Sequence, residues 1–353
     1  MREREEILRS GGWRYVRLAD GTAEIRGCPG GAESAVIPEK LDGLPVTAVG
    51  NMAFCGMNSL TSVTIPDHVS RLGIRSFTGC RRLVSVRLPA GLAEIPDKCF
   101  EDCRQLEDVT IPEGVTRIGG GAFTGCAMTE IAIPGSVVSI GDNPFSGCLA
   151  LKRIRLAPDQ PVLKLDGEAL YSRPDRRLVS YPRNPEAAEY AIVEGTRVIG
   201  GSAFYRCGRL RRIGIPGSVT EIGSFAFYKC GGLTEIELPE GLKALGDYAF
   251  ADCSALGSML IPEGVVRIPD SLCAGCERLA LASIPEGAAS IGPAAFYGCG
   301  SLDLVLMPDS VTEIGREAFG QCGTLHIAAN WGSFAHKYCW IHHIDCIFRD
   351  RDG

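Results

Sequence analysis

The stretch Ile111-Pro112-Glu113-Gly114-Val115-Thr116-Arg117-Ile118-Gly119, followed by Ala122-Phe123 and then Cys126, decides the fold because it recurs along the chain. Ile-Pro, Leu-Pro and Met-Pro pairs place Pro66, Pro89, Pro112 and Pro134 in one series, and Pro216, Pro239, Pro262, Pro285 and Pro308 in a second. The step is 23 residues, with one step of 22 between Pro112 and Pro134. Phenylalanines keep the same register at Phe54, Phe77, Phe100, Phe123, Phe145, Phe204, Phe227, Phe250, Phe296 and Phe319. Cysteines do so at Cys80, Cys103, Cys126, Cys148, Cys207, Cys230, Cys253, Cys276, Cys299 and Cys322. Self-similarity at this period across several columns means a solenoid.

Each column has a physical reason. Leu60-Thr61-Ser62-Val63-Thr64-Ile65 alternates apolar with polar at its end, as a half-buried strand does. Residues 83–88, 106–111, 151–156, 210–215 and 233–238 are its equivalents. Parallel strands from successive coils stack about 4.8 Å apart, and the proline that follows each one lacks an N–H and stops the ladder. The apolar pair Val115 and Ile118 then re-enters the core. Gly73, Gly119, Gly141, Gly223, Gly246, Gly292 and Gly315 fall at a turn for which positive φ is expected. The Ala-Phe pair would cross the back of the coil with ring stacked on ring. No coil buries its inner face alone.

The pattern Leu-x-x-Ile-x-Ile-Pro-x-x-Val-x-x-Ile-Gly-x-x-Ala-Phe-x-x-Cys, present over residues 35–328, resembles the BspA-like, or treponemal, class of leucine-rich repeat. That resemblance implies a mostly-β repeat solenoid of α/β type: a right-handed superhelix of about 10–11 coils with a parallel concave sheet. It also implies binding in place of catalysis, and bacterial surface proteins that mediate adhesion.

Composition narrows the class further. The chain has 353 residues, 45% apolar and 22% charged, which is globular. A net charge of −6 without a basic block speaks against nucleic acid as the partner. No apolar run reaches the roughly 18 residues that a membrane span needs, so no membrane insertion is expected. Met1-Arg2-Glu3-Arg4-Glu5-Glu6 is no secretory signal, so the expected location is cytoplasmic with reduced thiols; the family resemblance gives the cell surface or secretion as the alternative.

Three segments stand apart. Residues 1–50 read as an N-terminal cap with the first half-repeat: Trp13-Arg14-Tyr15-Val16-Arg17-Leu18 and Thr22-Ala23-Glu24-Ile25 flank the hairpin signal Asp20-Gly21. Residues 51–328 are the solenoid. Within it, residues 157–191 carry about 13 extra residues. They read as a β-hairpin standing off the coil, with its turn over Ser172-Arg173-Pro174-Asp175-Arg176. Residues 329–353 read as a closing cap, a helix begun by Ser333 with an apolar stripe of Phe334, Tyr338 and Ile341, then a last strand.

Candidate chemistry is sparse. The cysteine ladder places one thiol per coil in a line, unlike a tetrahedral metal cage, and reads as packing. Cys273-Ala274-Gly275-Cys276 lacks the βαβ setting of a redox motif, Cys273 standing in the phenylalanine column. His336, Cys339, His342, His343 and Cys346 crowd into the tail but lack zinc-site spacing. No nucleophile elbow, Walker A or H-E-x-x-H occurs, so no enzyme, metal or cofactor is expected. A thiol- or metal-dependent enzyme centred on the tail, and a self-assembling structural protein, are the alternatives.

The expected binding surface is the set of outward strand slots on the concave sheet. They turn basic at Arg153, Arg155, Arg211 and Arg212, then acidic at Glu235 and Glu237, then apolar at Leu260, Leu304 and Leu306. Neighbouring outward leucines make a patch that soluble monomers avoid unless it is used. The arginines can also pair with Glu130, Glu235 and Glu237 as a solvated ladder. The expected partner is a protein or peptide.

Overall fold

The computed structural model describes residues 6–182 and 187–348. The charged start at 1–5, positions 183–186 of the insertion and 349–353 of the closing segment lie outside the described residues. The chain divides into two compact units, Met1–Arg173 and Pro174–Gly353. Each is a mostly-β stack of coils. Among the described residues the one α-helix is Phe334–His342.

In the first unit the sheet face begins with Ser34–Val36, Ser62–Thr64, Ser85–Arg87 and Asp108–Val109, all parallel. The pairs Ser62↔Ser85 and Val63↔Val86 are one 23-residue step apart. Glu130–Ile133 and Arg153–Leu156 form a separate parallel pair. The ladder breaks between Val109 and Glu130, at the single 22-residue step. The missing residue lies between Cys126 and Met128, which are two apart where Cys103 and Leu106 are three apart. In the second unit Glu189–Ala191 pairs with Arg212–Gly214, and Ser258–Leu260, Leu281–Ser283, Leu304–Leu306, His326–Ala329 and Asp345–Phe348 run parallel in order. Residues 233–238 form no strand. Their neighbour Gly214 offers no side chain for cross-strand packing, and glycine weakens strand pairing.

A second ladder of two-residue strands lines the interior of each unit, for example Glu94–Ile95, Arg117–Ile118 and Ser139–Ile140. The back of the coil forms a third. There the N–H groups of Met52, Phe54 and Gly56 donate to the carbonyls of Ile74, Ser76 and Thr78 in the next coil, at 2.8–3.1 Å. The alternate residues Ala53, Cys55 and Met57 bond within their own turn.

That alternation explains the backbone. One column of left-handed residues, Met52, Arg75, Lys98, Gly121, Ser202, Phe225, Tyr248, Ser271, Ala294 and Glu317, stands two positions after the glycine column, and a second, including Gly56, Gly79, Asp102, Arg206, Lys229, Asp252 and Gln321, stands four positions further on. The glycines expected at positive φ do not have it. They are needed because the coil before them passes too close: a Cβ on Gly223 would sit 2.6 Å from Gly201 N, and one on Gly246 would overlap Ser224 N. Left-handed φ costs a side-chain-bearing residue about 1–2 kcal/mol, and the inter-coil hydrogen bond donated by the same residue offsets it.

Inside, the phenylalanines stack coil on coil, with centroids 4.8 Å apart for Phe54–Phe77, 5.3 Å for Phe77–Phe100 and 5.0 Å for Phe227–Phe250. Cys273 interrupts the column, and Leu272 replaces the preceding alanine. Both are fully buried, so the pair keeps its volume by exchanging large for small.

The described residues of the two units make about 14 turns of chain, more than the ten or eleven regular coils expected. Ala23–Gly27 pairs antiparallel with Trp13–Arg17 and parallel with Leu44–Val49, so it already lies close to the 23-residue register. The insertion does not stand off. Leu163–Asp166 pairs antiparallel with Ala169–Ser172, turning at Gly167-Glu168, with a further turn over residues 173–176. Ala169, Leu170 and Tyr171 are buried, as are Leu178 and Val179. Their continuous apolar character keeps them out of solvent. In the closing helix Ser333 accepts from His336 N–H, but the buried face is Ala335 and Cys339. Phe334 and Ile341 of the expected stripe are exposed, because the helix is only nine residues long and rests on its two small side chains.

Candidate functional site

The strand slots point as the alternation requires. Val63, Val86, Ile154, Ile213, Met259, Ala282 and Val305 are buried, and the residues on either side of each face out of the sheet. Arg153 and Arg155 are exposed in the first unit; Arg211, Arg212, Glu235, Glu237 and Leu260 are exposed in the second. Leu304 and Leu306 are half-buried beside Leu281 and Ser283, with which they pair across the strands.

The arginines do not make a free basic centre. Arg155 is bonded to Glu130 and Arg212 to Glu235, both across neighbouring coils. The Glu235 carboxylate holds the Arg212 guanidinium above its ordinary pKa, so its charge is committed. Arg153 and Arg211 remain outside these pairs. Exposed pairs of this kind contribute little to stability; their effect is to remove positive charge from the face.

Among the described residues, three of the hollows open on the sheet face. In the first unit, the break at the short coil leaves one of about 600 Å³, edged by Glu107, Asp108, Glu113 and Glu130 with Arg155. In the second unit, the gap beside Gly214 leaves one of about 570 Å³, edged by Glu189, Arg212, Glu235 and Glu237 over Ile213 and Ile236. A third, of about 700 Å³, lies where the later strands meet their prolines, floored by Ile261, Ile284 and Leu306 and edged by Glu240, Glu263 and Glu286. Ser283 stands between Leu260 and Leu306 in the strand register, so the leucine row is notched. The acids at the third hollow were not among the residues expected from sequence. Their signal was the position after the proline, filled by Glu240, Glu263 and Glu286 in successive coils.

The thiols have structural employment. Each ladder cysteine donates its S–H to the carbonyl that stands 25 or 26 residues earlier. Examples are Cys80 to Phe54 at 3.0 Å, Cys103 to Phe77 at 3.2 Å, Cys230 to Phe204 at 3.1 Å and Cys299 to Cys273 at 3.1 Å. Cysteine fits because it is small and apolar and still supplies a weak donor. All sixteen are free. Burial pushes the Cys99 and Cys148 thiols up to about 12 and raises Cys273 well above its ordinary value, which disfavours the reactive thiolate.

The tail histidines are dispersed. His336 accepts the Gly332 N–H at Nδ1 and packs on Trp331, while His343 caps the helix in left-handed conformation with its N–H on Cys339 O. Among the described residues, no three metal-ligating side chains converge. No helix is long and apolar enough to cross a membrane, among the residues described.

A repeat whose coils share strand, proline, glycine and Phe/Cys columns defines a class, and the sequence signature of the BspA-type leucine-rich repeat region matches residues 32–152 and 197–326, in six copies. The chain belongs to the BspA-type leucine-rich repeat family. Solved structures of bacterial leucine-rich repeat proteins share the fold. One from Eubacterium ventriosum is 22% identical, with a TM-score of 0.73 over 89% of this chain and 93% of that one. A leucine-rich cell surface protein from Faecalibacterium prausnitzii is 27% identical, with a TM-score of 0.62 over 96% of this chain and 98% of that one. The pneumococcal vaccine antigen PcpA is 17% identical, with a TM-score of 0.67 over 98% and 99%. Among curated proteins, none matches the sequence.

Proposed function

We propose that this repeat protein is a non-enzymatic scaffold that binds a protein or peptide through the outward slots of its strands. One observation carries the reading: the interior columns are nearly constant from coil to coil, whereas the slots on the sheet face change in charge and polarity at each step. On that face Leu281 and Leu304 are neighbours, and Leu260 and Leu306 rise on either side of Ser283. Apolar side chains grouped on a rigid sheet are what a partner's anchor residues need. Adhesion at the cell surface is one setting for such a scaffold, supported by the description of the Faecalibacterium prausnitzii protein. The cytosol is the other, in keeping with sixteen free cysteines. Protease treatment of intact cells separates the two.

The test is affinity capture from the organism's own lysate and from a panel of extracellular proteins, with Leu304→Asp in the second unit and Arg153→Glu in the first as controls. A captured partner lost on Leu304→Asp, with the melting temperature unchanged, is the expected result. Retention of the partner by both variants would sink the reading.

A further inference from the structure

The sheet face of the second unit carries more negative charge than its own arginines neutralise. Beside Gly214, Glu189, Glu235 and Glu237 surround Arg212, and Arg212 is already engaged by Glu235. At the Ser283 notch, Glu240, Glu263 and Glu286 stand on the rim, one from each of three successive coils. Among the described residues, no ion pair joins Glu240 or Glu263 to a cation. Carboxylates repeated at the same turn of successive coils repel one another. The fold does not require them, because Gly135 and Gly217 fill the same slot after Pro134 and Pro216. The floor between them is apolar, and Leu260 leaves 57% of its surface exposed.

We propose that this face takes an extended segment of a partner protein in which lysine or arginine residues flank an apolar one. The apolar side chain enters the notch at Ser283 between Leu260 and Leu306, and the cations meet Glu240, Glu263 and Glu286. Apolar burial supplies affinity, and the acidic rim selects and steers the partner. The proposal rests on the sheet face being the binding surface and adds the chemistry of what binds there.

The test uses the full chain and a labelled eight-residue peptide of alternating lysine and leucine, followed by fluorescence anisotropy at low and physiological salt. Binding is expected, weakening with salt, and falling by about tenfold or more when the lysines become glutamates or the leucines become serines. The triple variant Glu240→Gln, Glu263→Gln, Glu286→Gln is expected to melt as the parent does and to lose about tenfold in affinity. Glu113→Gln in the first unit is expected to change nothing. No binding by the lysine-leucine peptide, equal binding by its glutamate counterpart, or full affinity in the triple variant would overturn the proposal. If the peptide fails while Leu304→Asp still releases a captured partner, the partner chemistry is wrong and the face reading stands. If Leu304→Asp releases nothing, both fall together.

Discussion

The phenylalanine column and the strand slots across the coil from it obey different rules. From Phe54 through Phe77 and Phe100 to Phe123 the rings repeat without change, each at 4.8–5.5 Å from the next. Over the same coils the outward slots run Ser62/Thr64, Ser85/Arg87 and Asp108/Thr110. A side chain in the interior has its own copy as neighbour, above and below, so any change there must be matched. Leu272-Cys273 is such a matched change. A side chain on the sheet face meets solvent or a partner, and its neighbours place little demand on it.

The largest break in that contrast should come from Phe227→Ala, which removes a ring stacked on both Phe204 and Phe250. A loss of about 3–5 kcal/mol is expected in urea unfolding, against less than about 0.5 kcal/mol for Leu260→Ser on the sheet face. Comparable losses from the two would erase the distinction.

Next in size are the two backbone columns, which should respond with opposite signs. Gly246→Ala puts a Cβ into the preceding coil and is expected to cost about 1–3 kcal/mol. Ala294→Gly, at φ 54°, relieves left-handed strain and should gain up to about 1 kcal/mol. Melting temperatures of the pair check this, and a stabilising Gly246→Ala would contradict the close-approach account.

The smallest effect at neutral pH concerns the thiols. Cys55 is exposed, Cys322 and Cys346 are half-buried and the others are buried, so a thiol reagent at pH 8 should label Cys55 at once and the buried set only on unfolding. Because burial raises the folded pKa of Cys99 and Cys148 to about 12 from an ordinary 9.0, their neutral form stabilises the fold below pH 9. That stability is lost as pH rises from 9 towards 12. A denaturation midpoint that stayed flat over this window would count against buried ladder thiols.

Much of this was legible in the sequence, and the reason is repetition. Pro112, Phe123 and Cys126 each carry little information alone, but their recurrence at one spacing leaves a coil as the only arrangement that stacks them. The 22-residue step even marked where the sheet breaks. What was not legible depends on distances between coils. Nothing in Gly223 or Gly246 distinguishes a glycine needed for positive φ from one needed for close approach, and side chains as large as Phe225 and Tyr248 conceal the left-handed positions. The pairing of Arg155 with Glu130 and Arg212 with Glu235 was foreseen only as an alternative, because sequence gives the slots and not which neighbour a long side chain reaches. The helix face was misread because Ala335 and Cys339 are small, while Phe334 and Ile341 have the greater hydrophobicity.

The register Ser62↔Ser85, Val63↔Val86 has a consequence for how such a chain can change over generations. Since the upper and lower surfaces of a regular coil are near copies, a duplication of one 23-residue length in the gene would splice into the stack without a mismatched seam, wherever its endpoints fell. Array length is thus open to recombination in a way that a closed globular core is not, and each added coil arrives with two outward positions free to drift.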